Sequence, residues 1–524
     1  MEILPTLILM LGVIGLISFV APKLAIPAPV LLAVAGVVWS LTPSLPSLEI
    51  APGVILSVFL PPLLYADAWQ ASWIDFRRWL RPILQLAIGL VAFTILAIGM
   101  VAHWAMPVLP WAACFLLGAI VSPTDTVAVH AVLERLRVPR RATAILGGES
   151  LVNDATGLLG VGLASVVVLT GVFEAGKIGM TFARIAGFGI VIGVVVGLAA
   201  AAVNHYVRGT HVLFVFSLMA PYAAYHFAEA AGASGVLAVV IAGFVASWRL
   251  HYIAPESRVE LYSSWEQLAF LLNALMFLYV GLEAPERLRR AIETVPGIIG
   301  IALLISLAVI LTRFVWVLPN AYLPLWISSR LRRREGGYPS LRAVILASWC
   351  GVRGAVSLAA ALSVPVTLLD GRPFPGRDEI IACTLVVILV TLVGQGMTLL
   401  PLVRRLGLSD ADPSEAEVRR AREAMLSAGI ARLDAFCSDK SCPIAVYRLR
   451  DGMSDQLASL QAEDEMVRSQ ALQRMAVAAD VRRAVYQAQT AALLGLRDQA
   501  VVNDRVHQEL QLDLDRGNSD LRAG

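Results

Sequence analysis

The sequence predicts an all-α polytopic membrane protein of about thirteen transmembrane helices, built as two inverted six-helix repeats, with a cytoplasmic helical tail. Three observations predict this class. Hydrophobic residues make up 58% of the 524 residues and charged residues only 15%, whereas a soluble protein has roughly 25% charged residues. Apolar stretches recur at about the 20-residue length that crosses a bilayer. Carboxylates nevertheless lie inside two neighbouring stretches, and one of these two is broken by a proline.

The apolar stretches occupy residues 1–408, the predicted transmembrane exchanger domain. We predict spans at 3–21, 26–42, 51–68, 81–103, 110–133, 141–170, 179–206, 210–229, 232–248, 259–282, 295–318, 340–364 and 378–403. The first span lacks the basic flank and the small-residue cleavage site of a signal peptide, so we expect it to be retained.

Lysine and arginine residues between the spans predict the orientation, because short cytoplasmic loops are enriched in both. The predicted inside loops and their edges hold Lys23, Arg77, Arg78, Arg81, Arg135, Arg137, Arg140, Arg141, Arg208, Arg249, Arg258, Arg330, Arg332, Arg333, Arg334, Arg342, Arg404 and Arg405. The predicted outside loops hold far fewer, except 283–294, with Arg287, Arg289 and Arg290. We therefore predict a protein of the cell (inner) membrane, with its N-terminus outside and its C-terminus cytoplasmic.

Two interrupted spans predict the inverted repeat. Thirteen spans divide into six, one connector and six, and an odd connector gives the two halves opposite orientations. The fifth span of the first half is broken at Ser122-Pro123, and its counterpart in the second half, 340–364, contains Cys350-Gly351-Val352-Arg353-Gly354. Such a matched pair of broken segments is typical of the binding site of a secondary transporter.

Residues 409–524 are charged and have helical spacing without a further span. Asp412-Pro413-Ser414-Glu415 is typical of a helix start, with a capping aspartate followed by proline. Leu426, Ile430 and Leu433 then continue an apolar stripe. We predict a cytoplasmic helical tail that either supports packing and dimerisation or regulates the membrane domain.

Three carboxylates inside spans predict a site for a cation and a proton: Asp125, Glu149 and Asp154. A charge in hydrocarbon is costly, and membrane proteins keep such groups facing other helices or a water-filled cavity. Ser150 lies four residues before Asp154, so hydroxyl and carboxylate share a helix face. Burial favours the protonated form of Asp154 and a bound cation favours the ionised form, which is the physical basis of exchange. Hard cations such as Na⁺ prefer oxygen ligands, which Asp125, Ser150, Thr124 and backbone carbonyls can supply.

Each of the other polar groups has a structural interpretation as well. The alternative role of Asp125 is purely structural: it caps the second half of the broken helix and binds no ion. Glu149, if ionised, needs a buried cationic partner, and Arg313 and Arg353 are the candidates within spans. Arg353 can instead lie against the carbonyl ends of half-helices, where positive charge is stabilising.

Composition and motifs exclude several other classes. A net charge of +3 is too small to indicate a nucleic-acid partner, and no nucleotide-binding or nucleophile motif is present. We therefore predict no cofactor and no enzymatic activity. The alternative from another class, an intramembrane hydrolase, has only His226 and Glu229 at helical spacing.

Three motifs in order, SPTDTVAV, GGESLVNDATGLL and SWCGVRGAVSLAAAL, closely resemble the monovalent cation/proton antiporter family 1, the sodium/proton antiporters. PPLLYADAW at 61–69 is similar to the bacterial branch. The resemblance covers residues 1–405. It implies the inverted-repeat antiporter fold with broken helices crossing at mid-membrane, a homodimer in the lipid bilayer, and elevator-like alternating access.

The resemblance also implies roles for individual residues. Asp154 becomes the carrier of either proton or ion, and Asp125, Ser150 and Thr124 complete the site for the monovalent cation. Asn153 supports the site, Glu149 pairs with Arg313, and Arg353 belongs to the second broken helix. The Asn153-Asp154 pair implies electroneutral exchange.

We therefore predict a secondary antiporter that exchanges Na⁺ (or Li⁺) for protons and serves pH and sodium homeostasis. A K⁺/H⁺ antiporter of the same fold is the alternative, because the ligand types do not choose between these ions.

Overall fold

A computed structural model describes most of the chain. The described residues are 3–24, 26–42, 45, 52–125, 129, 133, 138, 140–171, 175–207, 209–248, 253, 255–368, 370–407, 413–439, 443–461, 465–499, 506, 510–511 and 514–515. Arg135, Arg137, Arg208, Arg249 and the predicted capping residue Asp412 lie outside them.

Helices make up the described membrane part and tail. The α-helices are α1 Ile3–Leu24, α2 Ala28–Ser40, α3 Pro52–Val54, α4 Leu60–Gln70, α5 Trp73–Arg78, α6 Leu80–Leu84, α7 Val91–Ala105, α8 Trp111–Ile120, α9 Arg140–Thr170, α10 Ala175–Tyr206, α11 Thr210–Ala230, α12 Gly235–Trp248, α13 Pro255–Thr294, α14 Ile298–Ile327, α15 Ser329–Arg334, α16 Leu341–Trp349, α17 Ala355–Leu362, α18 Arg377–Leu389, α19 Gly396–Leu406, α20 Pro413–Asp439, α21 Ile444–Gln461 and α22 Glu465–Asp498. Three π-helical segments, Ile55–Phe59, Gln85–Leu90 and Val390–Gln395, join neighbouring α-helices.

The predicted all-α membrane class is confirmed. Among the described residues, eight helices are long and apolar enough to cross a membrane, and α2, α8 and α12 are shorter apolar helices. Every predicted span overlaps at least one of the helices. The total of thirteen spans and the inverted repeat remain predictions.

The predicted connection 283–294 is helical, because these residues continue helix α13 as far as Thr294. Pairs three or four residues apart stabilise a helix, and the charges in this stretch are spaced in that way. Arg287 contacts Glu283 at 2.9 Å, and Arg289 contacts Glu293 at 3.0 Å. The charges therefore end the apolar pattern without ending the helix.

Two helix breaks meet inside the membrane part. Helix α8 ends at Ile120, and residues 122–125 have no helical structure. Helix α16 ends at Trp349, and the chain is again irregular until α17 begins at Ala355. The backbone N–H of Asp125 donates to the carbonyl of Val352 at 2.8 Å. The two breaks thus satisfy part of each other's backbone hydrogen bonding, which irregular backbone inside a membrane requires.

Small residues allow helices α2 and α13 to pack closely. A Cβ at Gly36 of α2 would overlap the backbone of α13, and a Cβ at Gly281 of α13 would overlap the backbone of α2. The two backbones are therefore in direct contact, as is common between membrane helices.

The contacts divide the chain into two compact units, Met1–Asp410 and Ala411–Gly524. The second unit contains α20, α21 and α22. Apolar side chains on α22, among them Val477, Val481 and Val485, are more than half exposed.

Candidate functional site

Helix α9 lies directly against the first helix break. The Ser150 hydroxyl donates a hydrogen bond of 2.8 Å to the backbone carbonyl of Thr124. Two turns further along the same face, Gly157 leaves no room for a Cβ, because the ring of Pro123 lies against it. The face that carries Ser150, Asp154 and Gly157 therefore packs on the irregular segment and not on lipid.

Asp154 is buried on this face, with 6% of its surface exposed. It borders a cavity of about 40 Å³ that is also lined by Ser150, Thr124, Asp125 and Asp67. Asp125 and Asp67 lie close enough to repel the negative charge of Asp154. The cavity thus combines three carboxylates with a hydroxyl, which are the oxygen ligands that a hard cation prefers.

The sequence-based prediction did not include Asp67. This residue lies on α4 and is exposed, although it lines the same cavity as the buried Asp154. The cavity therefore reaches the protein surface beside Asp67. The sequence does place a carboxylate near the end of an apolar span, in PPLLYADAW. That position alone could have indicated Asp67 as a candidate.

Asn153 and Glu149 hold the side chain of Thr124 from the neighbouring face of α9. The Asn153 amide Nδ2 donates to the Thr124 hydroxyl at 2.6 Å, and that hydroxyl donates to Glu149 Oε1 at 3.3 Å. Asn153 Oδ1 is buried and has no hydrogen-bond partner among the described residues. Ser150 binds the backbone carbonyl of Thr124, and Asn153 and Glu149 bind its hydroxyl. Side chains of α9 therefore hold both of these groups.

Glu149 and Arg313 form a buried ion pair, and the side chain of each is 1% exposed. Both carboxylate oxygens accept from the guanidinium, Oε2 from Nη2 at 2.8 Å. Arg313 Nε also donates to the carbonyl of Ala347 at 3.0 Å. The pair therefore connects α9, α14 and the end of α16, and Arg313 is the partner of Glu149 in the structure.

Arg353 has a different position, between the two helix breaks. Its Nε donates to the carbonyl of Val121 at 2.6 Å and its Nη1 to that of Gly351 at 2.7 Å. These carbonyls follow the C-terminal ends of α8 and α16, where the helix dipole favours a positive charge. The guanidinium thus holds two half-helix ends together.

Asp125 lies where the second break approaches the first. A Cβ on Gly354 would overlap the carboxylate and the Cβ of Asp125. Whether Asp125 caps the following half-helix depends on residues 126–128, which lie outside the described residues.

If the chain exchanges cations for protons as its sequence predicts, Gly354→Ala is expected to lower that activity at least about tenfold, because the added methyl group must displace Asp125 from the cavity. The measurement is ion-driven dissipation of a pH gradient in vesicles that contain equal amounts of protein. Gly162→Ala is the matched control, since a Cβ there meets nothing within 4 Å. Wild-type exchange by Gly354→Ala would contradict the importance of this contact.

Glu229, one of the two residues considered for an intramembrane hydrolase, has a structural contact. Glu229 Oε1 accepts from the backbone N–H of Gly235 at 3.1 Å, so it satisfies the start of the next helix. Among the described residues, no group of three His, Cys, Asp or Glu side chains is arranged to hold a metal ion by itself. The three aspartates therefore line one cavity without converging on a single point, and a bound cation would also need hydroxyl or carbonyl oxygens as ligands.

Comparisons with known proteins identify the family of the chain. Residues 7–405 match the family model described as "Sodium/hydrogen exchanger, transmembrane". An uncharacterised Na⁺/H⁺ exchanger of Mycobacterium tuberculosis is 33% identical over 504 residues, covering 93% of this chain and 90% of that protein. The sodium, potassium, lithium and rubidium/H⁺ antiporter of Bacillus subtilis is 32% identical, covering 75% of this chain and 60% of that protein.

Solved structures give the same fold. The chain is similar to the sodium proton antiporter MjNhaP1 from Methanocaldococcus jannaschii at pH 8, with a TM-score of 0.61 and 22% identity. The match covers 78% of this chain and 99% of that one.

Proposed function

Because the chain belongs to the sodium/hydrogen exchanger family of cation/proton antiporters, which are transporters and not enzymes, we propose that it exchanges cytoplasmic Na⁺ for external protons, one for one. Its energy source is then the proton gradient, and its role is pH and sodium homeostasis. The proposal includes a homodimer in the cell (inner) membrane, with the N-terminus outside and the C-terminus cytoplasmic.

The observation that carries the proposal is the buried Asp154 in a cavity with two further carboxylates. Repulsion among three negative charges is relieved when a proton or a cation binds. One carboxylate that holds either a proton or Na⁺, and not both, couples the two movements. Ion and proton then cross in opposite directions on the same group.

We assign the neighbouring oxygen atoms as ligands of the transported ion. Asp125, the Ser150 hydroxyl and Thr124 line the cavity with Asp154, and Asp67 stands at its exposed side. The Asn153 contact, the Glu149–Arg313 pair and Arg353 shape the site without carrying the ion.

K⁺ is the second candidate ion. The name of the Bacillus subtilis relative includes potassium and lithium beside sodium. Carboxylate and hydroxyl oxygens bind each of these ions, so selectivity depends on cavity size and ligand spacing.

Inside-out vesicles with an imposed pH gradient test the function. Addition of Na⁺ to the outside is expected to dissipate the gradient, as monitored by a ΔpH-sensitive dye, with Li⁺ and K⁺ added in separate runs. A response to K⁺ but not to Na⁺ would replace the proposed ion. No response to any of the three, with folded protein, would contradict antiport.

Because Na⁺ and protons compete for one carboxylate, the apparent KM for Na⁺ in this assay depends on pH. As pH falls, protons displace the cation, so the apparent KM for Na⁺ rises. One-site competition gives a limit of about tenfold in KM per pH unit. A KM that does not change with pH would mean that ion and proton bind to separate groups.

A further inference from the structure

A second cavity lies apart from the carboxylate site, where α6, the start of α9, the end of α14 and the start of α16 meet. Its volume is about 270 Å³, close to the lower end of the roughly 300–1,000 Å³ of ordinary ligand pockets. Ile145, Val317, Ala321, Ala343 and Val344 are among the apolar residues that line it. The wall is therefore suited to a hydrocarbon chain.

Three charged residues stand on one side of this cavity. Arg81 donates to both carboxylate oxygens of Glu335, at 2.7 and 3.1 Å, and Arg141 reaches the same carboxylate at 3.5 Å. Glu335 is 9% exposed. Two arginines against one glutamate leave a net positive charge beside an apolar cavity.

One hydrogen-bond donor of this charged group is unused within the described part of the chain. Arg81 Nη1 is buried and makes no hydrogen bond to any described residue. A buried donor that is left unsatisfied destabilises the protein, and a ligand oxygen that accepts from it removes that cost. The Arg141 guanidinium lies over the ring of Trp79, 4.4 Å from its centroid, and its Nη1 donates to the backbone carbonyl of Glu335 at 3.4 Å. These contacts hold the second positive charge beside the cavity.

The charged side of the cavity lies at the ends of membrane spans. Arg81 and Arg141 stand at the beginning of the candidate spans Leu80–Ala105 and Arg141–Thr170, and Glu335 follows the span Ile298–Ile327. The ends of membrane spans lie near the lipid phosphates, and basic pockets between helices on the cytoplasmic side recognise anionic head groups. Tyr338, which also lines the cavity, is 47% exposed, so the cavity has an open side.

We propose that this cavity binds one anionic phospholipid, with the phosphate against Arg81 and Arg141 and an acyl chain along the apolar wall. The lipid would contact α14 and α16 near the buried ion pair. Ala347 lines the cavity, and its carbonyl accepts the hydrogen bond from Arg313. A bound lipid therefore stabilises the part of the fold that positions Glu149.

The test uses the purified full-length chain in detergent, with its melting temperature measured against added phosphatidylglycerol. Phosphatidylcholine with the same chains and glycerol 3-phosphate alone are the comparison probes. Phosphatidylglycerol is expected to raise the melting temperature, and the other two to have little effect. An equal effect of phosphatidylcholine would overturn the charge recognition, and an equal effect of glycerol 3-phosphate would replace the lipid by a free phosphate compound.

Two variants test the two parts of the site separately. Arg141→Gln removes a charge, and Ala343→Phe fills the apolar wall without changing a charge. Each is expected to weaken the apparent phosphatidylglycerol affinity about tenfold, which corresponds to about 1.4 kcal/mol. Arg404→Gln is the matched control, because Arg404 is exposed and does not line the cavity.

Unchanged affinity in both cavity variants would overturn the proposal, as would an equal loss in Arg404→Gln. If Arg141→Gln does not fold, Ala343→Phe alone decides. The result is independent of antiport, because a protein that transports no Na⁺ can still bind the lipid at this cavity.

Discussion

Asp154→Asn is expected to abolish exchange, by at least about a thousandfold, while the protein still folds and reaches the membrane. The amide has the size of the carboxyl group, is neutral like the protonated acid, and avoids the repulsion from Asp125 and Asp67. It can neither release a proton nor offer a charged oxygen to Na⁺. The measurement is Na⁺-driven dissipation of a pH gradient in vesicles, with the protein amount and melting temperature determined in parallel.

Asp370→Asn is the matched control for that experiment. Asp370 is exposed and contacts Arg372 at 2.6 Å, so the same chemical change away from the cavity should leave exchange unaltered. Asp125→Asn is expected to weaken exchange, because it removes a second carboxylate from the cavity. If Asp154→Asn still exchanges protons for Na⁺, another group carries the proton, and Asp125 is then the first to test.

Local spacing in the sequence is sufficient to place the core of the candidate site on one helix face. Ser150, Asp154 and Gly157 recur at helical intervals, and a polar face inside an apolar span must turn away from lipid. The same reasoning places both helix breaks, because proline and glycine interrupt the backbone hydrogen bonds that a membrane helix needs.

The spacing of residues along one helix does not predict which residues of different helices lie close together. Arg313 and Arg353 are both arginines within spans, and only the packing of α14 against α16 decides which one reaches Glu149. Asp67 was missed for the same reason, since a carboxylate close to a span end is compatible with the membrane interface. Its approach to Asp154 depends on how α4 packs beside α9.

Hydropathy does not predict the length of helix α13. It reports where a chain can enter hydrocarbon, and it therefore ended the predicted span at 282. The helix continues to Thr294 because its arginines and glutamates pair along one face. Helix length and membrane thickness are separate properties.

Glu149→Gln or Arg313→Gln alone is expected to destabilise the protein by roughly 3–5 kcal/mol, because each leaves an uncompensated charge in a low-dielectric interior. Both side chains are 1% exposed, so water cannot replace the missing partner. The double variant should recover part of the loss, since it leaves no buried charge. The free energy of unfolding, measured by denaturant titration in one detergent, gives the coupling energy from the double-mutant cycle.

The exposed pair of Arg289 and Glu293 is the control for that cycle. Its side chains are each 62% exposed and 3.0 Å apart, and such surface pairs contribute only about 0–1 kcal/mol. A large coupling for Glu149 with Arg313 and a small one for the control would show that burial, not distance, sets the cost. Additive losses for the buried pair would mean that Glu149 is neutral or stabilised by another group, and the hydrogen bond from Thr124 would then be the contact to remove next.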